Sequence, residues 1–213
     1  MSSLPFQGPT SRAGRRIRRF TPVALVAAAL VAQPACTSVQ RDSQSSSYLI
    51  ISSMTGQSGA EKGSDDGVLA SDVETKGGVF EDGGKATFTL GLKDPGTDTS
   101  PSVPSTTNFI TITRYHVQYV RADGRNQQGV DVPYAFDGAA TGTVNATGGS
   151  VVFSLVRVQA KLEAPLKALA GGGGAVVIST IAEVTFYGTD QAGRAVSVTG
   201  KIGVNFADWA DPE

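Results

Sequence analysis

The chain has 213 residues, with 18 Lys and Arg against 19 Asp and Glu, for a formal net charge of −1. That balance argues against a nucleic-acid binder resting on a basic surface. One cysteine and one histidine exclude an intramolecular disulfide, a cysteine-rich metal site and any mechanism that needs two histidines.

The charges are unevenly placed. Residues 1–35 hold five arginines and no acid, which leaves 13 basic against 19 acidic residues from Cys36 on, a net charge of −6. After Arg19 comes the twelve-residue apolar run from Phe20 to Val31, then Ala32-Gln33-Pro34-Ala35-Cys36. A basic flank, a short apolar stretch and a small residue before the cut are the parts of an export signal, and the run is short of the ~20 residues a spanning helix needs. Thr37 to Ser47 is polar and reads as a flexible tether. The expected organisation is therefore a signal over 1–35, Cys36 with a tether to 47, and a folded domain over 48–213. With Ala35 before the cysteine and a tether after it, the segment resembles a bacterial lipoprotein signal. The resemblance implies that Cys36 carries acyl chains such as palmitate and becomes the mature N-terminus. Thr37, rather than Asp, after the cysteine implies the outer membrane. The alternative is an exported protein whose Cys36 is merely free or buried.

From Tyr48 on the dominant period is two, the mark of half-buried antiparallel strands. Strands are expected at 48–54, over Lys85 to Lys93, at 109–121, 139–145 and 150–158, and over two long runs near the C-terminus. In the first of these runs Val176, Ile178, Ala182, Val184 and Phe186 share a face. In the second, Val196, Val198, Ile202, Val204 and Phe206 do. Thr189 to Gly193 reads as the hairpin turn between them. The 109–121 strand changes phase, with Ile110 and Ile112 pointing one way and Tyr115, Val117 and Tyr119 the other. One extra residue near Thr113 or Arg114, a β-bulge, puts all five in the core.

Breakers divide these runs. Ser58–Gly67 and Asp94–Asn108 are expected as polar loops, the second rich in proline and serine. One short helix is expected within Ala160–Ala170, with Leu162, Leu166 and Leu169 on its apolar side and Pro165 weakening it; Gly171–Gly174 ends it. Trp209 is expected to close the edge of the domain. Seven or so strands with turns between them suggest an all-β, antiparallel β-sandwich with long loops and one short helix.

Ile112 to Gly124, with its alternating Tyr115, Val117 and Tyr119, is similar to the third strand of fibronectin type III-like domains, and the terminal hairpin resembles the last two strands of immunoglobulin-like domains. Taken whole, the chain resembles bacterial lipoproteins with an immunoglobulin-like β-sandwich domain.

The chemistry-bearing residues are few. In the bulged register His116 faces outward with Arg114 and Gln118, a candidate binding stripe. No Gly-x-Ser-x-Gly turn offers a serine nucleophile to His116, and zinc lacks its usual ligands. Asp65-Asp66, Glu81-Asp82, and Asp94 with Asp98 are carboxylates in expected loops, where calcium is conceivable but solvation is the simpler reading. Gly171–Gly174 follows a helix instead of preceding one, the wrong order for a phosphate cradle. No catalytic residue, metal or cofactor is expected. The leading expectation is a lipid-anchored, non-catalytic envelope domain that binds a protein, glycan or other envelope partner. The alternatives are an envelope enzyme using acidic residues on a polysaccharide and a purely structural surface lipoprotein.

Overall fold

The computed structural model describes residues 45–60, 66–76 and 78–209. The expected signal, Cys36 and most of the expected tether lie outside the described residues. In chain order the elements are β1 (Ser47–Gln57), β2 (Val68–Asp72), β3 (Asp82–Leu92), β4 (Gly96–Thr97), β5 (Ser100–Pro101), β6 (Ile110–Val120), β7 (Phe136–Val144), β8 (Gly149–Val156), α1 (Val158–Leu162), a 3-10 turn (Leu166–Leu169), β9 (Ile178–Asp190) and β10 (Ala195–Ala207). The all-β class holds. A three-stranded sheet runs β1-β3-β8, a five-stranded sheet runs β2-β10-β9-β6-β7, and β4-β5 form a small ribbon. Among the described residues no helix is long and apolar enough to cross a membrane.

Alternation decides which face of each strand goes inward. Phe88 of β3, Phe153 of β8 and Phe186 of β9 are buried and meet between the sheets. Phe186 lies 5.0 Å from Phe88 and 5.2 Å from Phe153, ring centre to ring centre, each in an edge-to-face arrangement. The expected bulge is present. Ile112 pairs with Gly188 and Arg114 with Tyr187, so Thr113 is the extra residue. Ile110, Ile112, Tyr115, Val117 and Tyr119 are all buried as a result.

Two of those residues tie the sheets together. β8 ends its own sheet, and its pairing with β3 skips Leu155: Asp82 faces Val156 and Gly83 faces Ser154. Tyrosine hydroxyls from β6 supply partners there. The Tyr119 hydroxyl donates to the Leu155 carbonyl at 2.6 Å, and the Ser154 N–H donates to the Tyr115 hydroxyl at 3.1 Å. Burial, reinforced by the nearby Asp82 carboxylate, pushes the Tyr119 phenol far above its usual range, so it stays a neutral donor.

The register makes a direct prediction. Val117→Ala removes core volume and is expected to cost roughly 1–3 kcal/mol, scaled from larger aliphatic truncations. His116→Ala, one residue away on the outer side, is expected to stay within about 0.5 kcal/mol. Denaturant melts of the two variants compare them, and a costlier His116→Ala would contradict the register.

Several expectations need correction. The antiparallel rule fails once: β2, an unexpected strand, pairs parallel to β10. The expected helix is two pieces. α1 stops at Leu162 and the 3-10 turn begins after Pro165, so the leucines do not share one face. Leu162 is 53% exposed whereas Leu166 and Leu169 are buried. Val176 precedes β9 and is exposed. The Asp94–Asn108 loop contains the β4-β5 ribbon. Ser45 and Ser47 are buried, and Ser47 opens β1 opposite Leu92, so the fold takes in the last serines of the expected tether. The Ser45 hydroxyl also reaches Asp190 in the β9-β10 turn. Burial alone raises the Asp190 carboxyl, but the Arg194 N–H, the Ser45 hydroxyl and the Ala192 N–H outweigh it and hold that carboxyl below the usual range. Trp209 follows β10 at the edge of the five-stranded sheet, where its backbone N–H donates to the Asp72 carboxylate of β2 at 3.0 Å.

Candidate binding face

The outward side of the five-stranded sheet carries the candidate stripe. The bulge at Thr113 resets the alternation, so Arg114 and Gln118 are exposed and His116 is half-buried. Cross-strand neighbours extend the stripe into a face. His116 sits between Asp137 of β7 and Thr185 of β9, Arg114 beside Tyr187, and Gln118 beside Glu183.

The polar groups hold one another. His116 Nδ1 lies 3.2 Å from Asp137 Oδ1, and the Arg114 guanidinium is 3.8 Å from the same oxygen. That guanidinium lies over the Tyr187 ring, 3.7 Å from its centre, a stacked cation–π geometry. Further along, Lys201 Nζ is 2.7 Å from Glu183 Oε1, and the Thr185 and Thr199 hydroxyls meet at 2.8 Å. Exposed pairs of this kind contribute little to stability, about 0–1 kcal/mol. Their effect is to fix side-chain positions.

A shallow cleft of about 310 Å³ opens beside Arg114, between Thr113–Arg114 of β6, Tyr187–Thr189 of β9 and Ala195–Ser197 of β10. The bulge shapes one wall. Gly188 lies opposite Ile112 and can carry no side chain, since a Cβ there would fall 2.4 Å from the Thr111 carbonyl oxygen. Arg114 is the one charged residue of this lining.

The structure therefore brings Arg114, His116 and Gln118 onto one face and adds Asp137, Glu183, Tyr187 and Lys201, which the sequence reading did not single out. Asp137 lies two residues before the strand expected at 139–145, so its place opposite His116 went unseen. Tyr187 was legible in the alternation of β9, on the side opposite Val184 and Phe186.

Among the acidic residues expected in loops, Asp82 departs from the expectation and Asp94 does not. Asp65 lies outside the described residues. The Asp94 carboxylate accepts from the Gly96 N–H at 3.0 Å, a local turn. Asp82 is not a loop residue at all: it opens β3 and its side chain is fully buried against Lys161 of α1, whose Nζ lies 2.9 Å from Oδ2 and 2.9 Å from Oδ1. The Gly59 N–H donates to Oδ1 at 2.9 Å and the Ser71 hydroxyl to Oδ2 at 2.6 Å. A carboxylate is buried only when paired and hydrogen-bonded, and here the pairing is complete. Among the described residues no group of three or more His, Cys, Asp or Glu side chains is placed to hold a metal ion.

A scan against protein-family models and searches of curated proteins and of solved structures find no match to this chain.

Proposed function

We propose that the chain is a lipid-anchored, non-catalytic envelope protein of the bacterial outer membrane. Its domain is read as an immunoglobulin-like β-sandwich that binds a protein, glycan or other envelope partner through the outward face of the five-stranded sheet. One observation carries this reading: Arg114 is stacked on Tyr187 and held by Asp137 at the lip of the cleft. Arginine and tyrosine are the residues on which binding energy concentrates at interfaces. Side chains already fixed by their neighbours lose less freedom when a partner arrives. The acids of this face favour binding over hydrolysis, because Asp137 and Glu183 each lie against a cation. The close Asp82–Lys161 pair is sealed from solvent.

The test is a crosslinked pull-down from native envelopes. Arg114→Ala is expected to lose the partner that the unaltered protein captures, with its unfolding midpoint little changed. An unchanged set of captured partners would remove this face from the proposal. The anchor is tested separately. Cys36→Ser is expected to release the protein from the membrane fraction, and mass spectrometry of the native N-terminus should find an acylated Cys36, since two or more chains are needed for stable attachment. A mature chain beginning elsewhere, or an unmodified Cys36, would contradict the anchoring.

A further inference from the structure

The binding face makes no use of the most unusual chemistry in the molecule, the enclosed pair of Asp82 and Lys161. Both side chains are fully buried, and they join β3 to α1 across 79 residues of chain. Nζ is equidistant from the two carboxylate oxygens at 2.9 Å. The carboxyl carbon between them is therefore within about 3.3 Å, inside the ~3–3.5 Å of a near-attack pair. The surroundings also suit attack on that carbon. The Gly59 N–H points at Oδ1, a fixed donor for the charge that an addition would place on that oxygen, and the Ser71 hydroxyl holds Oδ2, the oxygen that would leave. Gly59 can approach so closely because it has no side chain: a Cβ there would fall 2.0 Å from the Glu81 carbonyl oxygen. The nearby Tyr119 hydroxyl is committed to the Leu155 carbonyl.

We propose that this pair is a site of self-modification, at which Lys161 and Asp82 condense to an intramolecular amide that cross-links α1 to β3. A proton passes from the ammonium to Oδ2, leaving a neutral amine facing a neutral acid. The Nζ lone pair adds to the carboxyl carbon, and the negative charge gathers on Oδ1 against the Gly59 N–H. Nζ gives up a second proton, the bond from the carbon to Oδ2 breaks, and Oδ2 departs as water with both protons. Nζ keeps one hydrogen as the amide N–H. Nothing is oxidised or reduced and no co-reactant is needed. The product replaces two ions held away from water by one neutral group, which removes the cost of keeping both charges desolvated. Burial keeps competing water from the reacting atoms.

Mass spectrometry of the purified full chain tests this. The intact protein is expected to be lighter, by one water, than the same N-terminal form without the bond. After trypsin, residues 77–85 and 158–167 should appear as one branched species, lighter by one water than the two linear peptides together, with cleavage after Lys161 blocked. Lys161→Arg keeps the positive charge but has no primary amine, and Asp82→Ala has no carboxyl; both should yield only linear peptides at full mass. Their folding does not decide the result, because the unaltered chain alone does. Only linear peptides from the unaltered protein, with complete cleavage after Lys161, would overturn the proposal.

Discussion

Replacing Phe186 by alanine is expected to cost about 3–5 kcal/mol, the range for truncating a large aromatic in a packed core. Phe186 is fully buried on β9, and its ring is the meeting point of both sheets. It contacts Phe88 of β3 and Phe153 of β8 edge-on and lies 6.4 Å from the Tyr115 ring of β6. Alanine leaves three aromatic neighbours facing a void that they cannot fill without leaving strands pinned by hydrogen bonds. Urea melts measure the effect as a lower midpoint with an unchanged slope. A cost below about 1 kcal/mol, the level of a surface change, would mean that the sheets do not meet at this ring.

Lys161→Met strands the Asp82 carboxylate in a site closed to water and is expected to lose about 3–5 kcal/mol relative to the intact ion pair, with the loss of the cross-link added when the unaltered chain is the reference. The Gly59 N–H and Ser71 hydroxyl still donate to that carboxylate, but neither carries a charge. Adding Asp82→Asn to Lys161→Met removes the stranded charge, keeps an acceptor oxygen for the Gly59 N–H and turns an amide N–H toward the Ser71 hydroxyl, which can rotate to accept it, so the double variant should be more stable than the single one. Neither variant can carry the amide cross-link, so the comparison isolates the buried charge. Equal stability of the two would show that water reaches Asp82 once Lys161 is gone.

These two sites differ in how far the sequence reveals them. Phe186 lies in a clean alternation with Ala182 and Val184, and any pairing that buries one face buries all three. The same holds for β6, where the phase change between Ile112 and Tyr115 has one simple solution, the bulge at Thr113. Local pattern carries that much because it depends on side chains two residues apart. Asp82 and Lys161 carry no such signal. Their partnership spans 79 residues, and each alone reads as an exposed charge. α1 inverts the usual rule: Lys161 faces inward to its carboxylate while Leu162 beside it is exposed. Hydropathy spacing assigns them the other way round. β2 was missed because Ser71 and Asp72 are buried along with Leu69, so polarity does not alternate with burial. Its parallel pairing with β10, more than a hundred residues later, also has no hairpin turn to announce it. On the candidate face Arg114, His116 and Gln118 were readable from the register of one strand. Asp137, Glu183, Tyr187 and Lys201 join them only through pairing with three other strands.

The central claim is that a partner docks on the outward face of the five-stranded sheet. It is tested most directly by placing a photo-crosslinking residue at Gln118, within the stripe, or at Val152, on the other sheet and 72% exposed, in the full-length protein. Irradiation in intact envelopes is predicted to give a discrete adduct from position 118 and none from position 152. An adduct from position 152 alone, or from neither position while the unaltered protein still captures a partner, would contradict the account.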